Sequence, residues 1–402
     1  MTQVTLEKRK LEGAEQPVKR ARPLLWIGLE FVIVLVIGLL LLEPIVNWAG
    51  VGNEEVLDIE PSTGWTLMPN RTFTYRKEGY SQSTINSHGM RDVARTIAKP
   101  ANTYRIAVLG CSITEGNQVP VKDTYCSVLE RKLNENNSGK RYEVLNFAVS
   151  AYTLGQEYLR MKNLALSFQP DIVVFTVRPN ALLYMGPDQK TGFYNSRPVF
   201  GIMPDGRLIE DRNFQKYWLS SGDGKRMQST RWLRYNSRLW GVIGKCSATL
   251  NDFKTSISRN LKTFVKHPLA TFAPPAAVVV SQAVPAQPAP RDPNLQKAQA
   301  YLGTVADAII EKASNECKDA NCKFVIAYMP ATKKHRDAAE EAIIRETARK
   351  HSIDYFDFNQ PFDQLEAVVS KPLYIVVHPS KLGHERMADE LYGYLTGKGM
   401  LR

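Results

Sequence analysis

The sequence predicts an α/β fold: a three-layer sandwich around a central parallel sheet, preceded by one N-terminal transmembrane helix. Two observations predict it. Leu24–Leu42, LLWIGLEFVIVLVIGLLLL, runs for 19 residues with one charge, Glu30, long enough to span a bilayer. Beyond residue 102, continuous apolar runs of strand length alternate with amphipathic runs of helix length. Parallel strands covered on both faces by crossover helices need that pattern.

The elements follow in order. Residues 1–23 read as a cytoplasmic tail with six basic and three acidic side chains. The anchor takes 24–46. Glu43, Glu54, Glu55, Asp58 and Glu60 follow the basic flank and span, so the positive-inside rule sets the N-terminus in the cytoplasm and the main domain outside, periplasmic or extracytoplasmic. The apolar run is too long for a cleaved signal peptide, and no small-x-small site closely follows it. Residues 47–102 read as a stalk and lead-in. The domain over 103–398 opens with YRIAVLG (104–110), an apolar strand ending in glycine, then a helix over 123–136 with Asp123 as its N-cap. A strand over 142–149, a helix over 155–168 and a strand over 170–177 continue the alternation.

An insertion of about 181–295 interrupts it. It holds RWLRYNSRLWGVIGK (231–245), expected as a cap over the cleft, with an anionic lipid surface as the other reading. It also holds a Pro- and Ala-rich stretch over 273–293, expected as an exposed linker. Helices over 294–315, 335–350 and 382–397 and strands over 322–330 and 353–358 complete the alternation.

The formal net charge is +12. The excess beyond the anchor favours an anionic neighbour, a phospholipid surface or an acidic polymer. No nucleic-acid recognition motif accompanies it, so no nucleic-acid partner is expected. The five cysteines show no zinc spacing. In an exported domain Cys317 and Cys322, flanking a helix-to-strand turn, are expected to form a disulfide.

In sheets of this kind chemistry gathers where the strands' carboxyl ends meet loops. Ser112 lies two residues past the first strand. Asn146-Phe-Ala148 follows the second, Arg178-Pro-Asn180 the third, and His378 stands in a loop before the last helix. A serine, an asparagine amide and a histidine converging on one sheet edge are the nucleophile, donor and base that acyl transfer requires. His384, opening the last helix, reads as structural.

This ordered set resembles the SGNH/GDSL hydrolase superfamily. Gly110-Cys-Ser112-Ile-Thr114-Glu-Gly116 is similar to its first block, Asn146-Phe-Ala148 to its second, Arg178-Pro-Asn180-Ala181 to its third, and Ile375-Val-Val-His378 with Pro379-Ser380 to its last. INSHGMRD (85–92) is similar to a lead-in of membrane-anchored relatives. The resemblance implies a flavodoxin-like sandwich. It implies Ser112 as nucleophile, His378 as base, and an oxyanion hole from the Ser112 and Ala148 N–H groups and the Asn180 amide. The implied reaction is ester hydrolysis or acyl transfer with no metal or organic cofactor, on acylated cell-surface glycans.

Five positions, in all four blocks, depart from the pattern: Cys111, Ala148, Arg178 with Ala181, and Ile375 where the family's aspartate holds the histidine. A Ser–His dyad is therefore expected, with a backbone carbonyl, Asp354 or Asp357 orienting His378. Arg178 is a candidate for binding an acidic sugar or phosphate, with a loop salt bridge as the plainer reading. The rival class is a catalytically degenerate scaffold or binding subunit, tethered through the N-terminal helix beside membrane-protein partners.

Overall fold

The computed structural model describes residues 24–49, 51, 56–135, 139–185, 196–244, 246, 293–366 and 372–401. The chain divides into two units, Met1–Val51 and Gly52–Arg402. The first is helix α1 (Leu24–Trp48). Its apolar stretch, with a mean hydropathy of 2.8, is long and apolar enough to cross a membrane.

The second unit opens with two antiparallel pairs, β1 (Leu57–Glu60) with β2 (Gly64–Leu67) and β3 (Thr72–Tyr75) with β4 (Ser81–Thr84). Then come β5 (Thr103–Leu109), the short α2 (Ser112–Glu115), α3 (Tyr125–Glu135), β6 (Arg141–Asn146), α4 (Leu154–Asn163) and β7 (Ile172–Val177). The insertion contributes a hairpin, β8 (Val199–Ile202) with β9 (Leu208–Asp211), and helices α5 (Asn213–Ser220), α6 (Gly222–Ser229) and α7 (Arg231–Asn236). The chain closes with α8 (Pro293–Asp319), β10 (Lys323–Tyr328), α9 (Ala338–Lys350), β11 (Asp354–Asp357), α10 (Asn359–Glu366), the pair β12 (Tyr374–Ile375) and β13 (His378–Pro379), and α11 (Lys381–Gly397).

Five strands form one parallel sheet in the order β11-β10-β7-β5-β6. This is the flavodoxin-like order, whose switch point falls between β5 and β7. Alternation along β5 sends Ala107 and Leu109 to a core with α4, α8 and α9, and Ile106 and Val108 to a core with α3 and α11. The helix over 123–136 starts later than expected. Asp123 lies in a 3-10 turn, and Thr124 instead receives the Val128 N–H on its carbonyl and the Ser127 N–H on its hydroxyl. Cys317 and Cys322 form a disulfide across the α8-to-β10 turn.

Residues 56–99, expected as stalk and lead-in, are packed onto the sheet domain. Trp65, Leu67, Phe73 and Ile85 bury against Val149 and Tyr152 as a third apolar cluster. The basic, aromatic stretch at 231–236 is held by the same region. Arg231 Nε lies 2.7 Å from Asp58 Oδ2, and the Tyr235 hydroxyl donates to that oxygen at 2.8 Å. Among the described residues, none of 231–244 lines the cleft described below. Pairing with the buried Asp58, not the cleft, uses these side chains. Residues 273–292 lie outside the described residues, and Pro293 already belongs to α8.

Candidate active site

Strand β5 ends at Leu109, and the chain turns at once into α2, of which Ser112 is the first residue. The turn needs glycine at 110. A Cβ there would stand 2.2 Å from Thr176 Oγ1 and 2.6 Å from Thr114 Oγ1, well inside contact distance, so only a bare backbone lets β5 and β7 close at this point. The Asn146 amide, at the end of β6, donates to the Thr114 carbonyl at 2.9 Å. The buried Arg91 donates to the carbonyls of Glu115 at 2.8 Å and Gly116 at 2.9 Å, and to the Ser83 hydroxyl on β4 at 2.9 Å. These carbonyls end α2, which Ser112 begins, where backbone acceptors have no helical donor. Arg91 therefore clamps α2 to the lead-in. Asp92 accepts from the Asn146 N–H at 3.2 Å, which gives the stretch 85–92 a structural role at the site.

His378 is presented by the β12–β13 hairpin, in which it pairs directly with Ile375. The turn between them sets Val376 at φ 55°, a left-handed conformation that is costly for a β-branched residue. The ring reaches both neighbours. Its Nε2 lies 2.9 Å from Ser112 Oγ, and its Nδ1 lies 2.6 Å from Glu78 Oε2. An ionised carboxylate only accepts, so Nδ1 carries a hydrogen and the Nε2 lone pair faces the serine hydroxyl.

Glu78 was not among the expected residues. It sits in the loop of the β3–β4 hairpin, 300 positions from His378. The hairpin tip lies against Ile375, one of the places where the sequence departs from its resemblance. A Cβ on Gly79 would be 2.6 Å from the Gln118 carbonyl and 3.2 Å from Ile375 Cδ1, and Gly79 adopts φ +79°. Ile375 thus supports the hairpin that carries Glu78. Asp354 and Asp357, the expected alternatives, are engaged elsewhere: Asp354 with Lys398 at 3.1 Å, Asp357 with the Asn359 N–H at 2.8 Å.

The cleft, of about 350 Å³, is lined by Ser112, Arg178, Asn180, Tyr184, His335 and His378 among others. Glu340 holds the loop after β7 by accepting from the Ala181 N–H at 2.9 Å and the Leu182 N–H at 3.0 Å. Asn180, at φ 60°, donates one amide hydrogen to the His335 carbonyl at 2.9 Å, and its second makes no hydrogen bond among the described residues. The Ser112 N–H lies in the first turn of α2, where no intrahelical acceptor exists. Ala148 is different: its single N–H donates to Asn146 Oδ1 at 3.1 Å, and it is not part of the cleft lining. Arg178 lies 4.1 Å above the Tyr184 ring. The expected loop salt bridge to it is absent among the described residues.

Behind Ser112, Glu157 is buried, and burial pushes its carboxyl well above the usual range, although Arg178 pulls the other way. Cys111, also buried, is raised for the same reason. His384 is fully buried; desolvation, then Arg91 and His378, lower it to about 3, so it stays neutral and accepts from the Tyr125 N–H at 3.3 Å. No group of histidine, cysteine or carboxylate side chains suited to a metal ion occurs among the described residues.

No family model matches the chain, and no curated protein matches it. Solved structures do. LAE5, an alpha/beta hydrolase enzyme from the metagenome of Lake Arreo, is 11% identical, with 76% of this chain and 99% of that one covered and a TM-score of 0.37. Axe2, an acetylxylan esterase from Geobacillus stearothermophilus, is 12% identical over 74% and 96%, with a TM-score of 0.36. TesA is 12% identical over 73% and 98%, with a TM-score of 0.35. Likeness of this size carries no part of the functional reading, which stands on the site.

Proposed function

We propose that the protein is a membrane-anchored SGNH-type serine esterase or acyltransferase, with its main domain outside the cytoplasmic membrane and ester-linked acyl groups of cell-surface glycans as substrate. One observation carries this reading: the continuous chain from Ser112 Oγ through His378 to Glu78, at 2.9 and 2.6 Å. His378 Nε2 takes the serine proton as Oγ attacks the ester carbonyl. The Ser112 N–H and the free Asn180 amide hydrogen meet the developing oxyanion. Collapse breaks the ester bond. The acyl group stays on Ser112, and the alcohol leaves with the proton held by His378. Water or a second hydroxyl then reverses the steps, giving hydrolysis or transfer. No step needs a metal or organic cofactor.

A binding subunit without catalysis is the second reading, favoured by the engagement of the Ala148 N–H with Asn146, which leaves the hole one donor short of the expected three. A fluorophosphonate probe on the full chain in detergent separates the two. The esterase reading expects labelling at Ser112 that is lost in Ser112→Ala; an unlabelled wild type that also hydrolyses no short-chain aryl ester overturns it. Protease added outside the cytoplasmic membrane is expected to digest the chain beyond the anchor, and protection would overturn the location.

A further inference from the structure

Arg178 is the first residue after β7 and lines the same cleft as Ser112 and His378. A half-buried arginine normally finds a carboxylate. This one makes no hydrogen bond or ion pair through its guanidinium among the described residues, and lies instead 4.1 Å over Tyr184. Stacking occupies one face of the planar group. Its edge keeps a fork of N–H donors matched to two oxygens at once. The acids near the nucleophile do not cancel its charge. Glu78 is bound to His378, and Glu157 is held towards its neutral form by burial. Lys333 and Lys334 are exposed in the turn that brings Thr332 and His335 to the cleft wall, so the rim is basic as well.

We infer that the ester bound in this cleft carries an oxyanionic group, a carboxylate or a phosphate, which Arg178 holds edge-on while Ser112 acts on the acyl bond. This rests on the esterase reading for the reaction, but the anion subsite is a separate property of the cleft. The chain beyond residue 23, with 46 basic and 37 acidic side chains, acts in the same direction at longer range, drawing an acidic polymer towards the domain.

The test compares acetylated methyl glucoside, acetylated methyl glucuronoside and acetylated glucose 6-phosphate as substrates of the full chain in detergent, with acetate release as readout. The wild type is expected to favour an acidic ester by about tenfold or more in kcat/KM, the worth of one charge-assisted bidentate contact. Arg178→Gln brings the acidic-to-neutral ratio towards one, mainly through KM, and Arg178→Lys restores part of it. Whichever acidic ester leads identifies the anion as carboxylate or phosphate. Calorimetric titration of Ser112→Ala with methyl glucuronoside and with inorganic phosphate supplies a readout without turnover, and adding Arg178→Gln should weaken binding by a similar factor. Equal ratios in wild type and Arg178→Gln, or anion binding indifferent to Arg178, overturn the inference and leave the esterase reading standing. Arg178-dependent anion binding in a chain that turns over no ester does the reverse.

Discussion

Glu78 decides how His378 works. With the proton fixed on Nδ1, the imidazole presents a lone pair to Ser112. With an amide in place of the carboxylate, the opposite tautomer is equally well bonded. Glu78→Gln is therefore expected to lower kcat by up to about 10⁴, the loss that the corresponding Asp→Asn change causes in a serine protease, with little change in fold. Ile375 stands directly across the hairpin from His378, and such cross-strand side chains share a face and lie close together. Ile375→Asp should add nothing to a wild type that already has Glu78, but should recover part of the turnover lost in Glu78→Gln. Aryl-ester kinetics of the three variants check this, and no rescue in the double variant would mean that position 375 cannot reach the ring. His384 supplies a second test at this scale. Its folded value of about 3 lies below the unfolded one of about 6.5. Between those pH values the unfolded chain binds a proton that the folded chain does not, so the histidine's contribution falls as pH drops below about 6.5, by at most about 1.4 kcal/mol per unit. Glu115 and Glu157, raised by burial, have the opposite sign, losing stability as pH rises above about 4.5, so only a comparison isolates His384. Melting temperatures should fall more steeply from pH 7 to pH 5 in wild type than in His384→Asn. Parallel slopes would show that His384 does not titrate this way.

At the scale of elements, two hairpins bring Glu78 and His378 together. The β3–β4 tip can lie on residue 118 only because Gly79 has no Cβ and adopts a positive φ. Gly79→Ala should cost about 1–2 kcal/mol for the left-handed backbone, plus the displacement of the tip from the Gln118 carbonyl. Because Glu78 is the adjacent residue, kcat should drop towards the Glu78→Gln value. A melting curve and ester kinetics on the same preparation check both effects, and unaltered kcat would show that the tip tolerates the shift. The same geometry explains what was legible in the sequence. Ser112, Asn180 and Arg178 follow β5 and β7 at short fixed offsets, so a strand reading locates them, and the central strands β7 and β10 are the apolar runs that a sheet buried on both faces needs. Glu78 follows no core strand. It stands in YRKEGYSQS, a polar stretch with the composition of an ordinary turn, and nothing in its spacing refers to a histidine 300 positions away. The aromatic stretch at 231–236 misled for a related reason. Its periodicity shows that it packs, but not that Asp58 is its partner.

At the scale of the whole molecule, the hydrogen-bonded chain Ser112–His378–Glu78 is assembled from three distant parts: the lead-in, the loop after the first core strand and the C-terminal hairpin. The lead-in also supplies Arg91, which holds the end of the nucleophile's helix, and Trp65, Leu67, Phe73 and Ile85, which cover Val149 and Tyr152 beside the second sheet loop. It is therefore part of the active unit, whatever its distance in sequence from the parallel sheet. Two truncations separate these roles. A chain beginning at residue 52 lacks α1 but keeps the whole of the second unit, Gly52–Arg402, and is expected to be soluble and to react with a fluorophosphonate at the full-length rate. A chain beginning at residue 100 keeps every strand of the parallel sheet but loses Glu78 and the Arg91 clamp, and uncovers an apolar surface. Its labelling should fall at least as far as that of Glu78→Gln, and its melting temperature should drop by more than any single substitution above produces. Circular dichroism distinguishes a folded but unreactive sheet from a collapsed one. Full-rate labelling of the shorter chain would show that Ser112 and His378 suffice and that the carboxylate contributed by the lead-in is incidental.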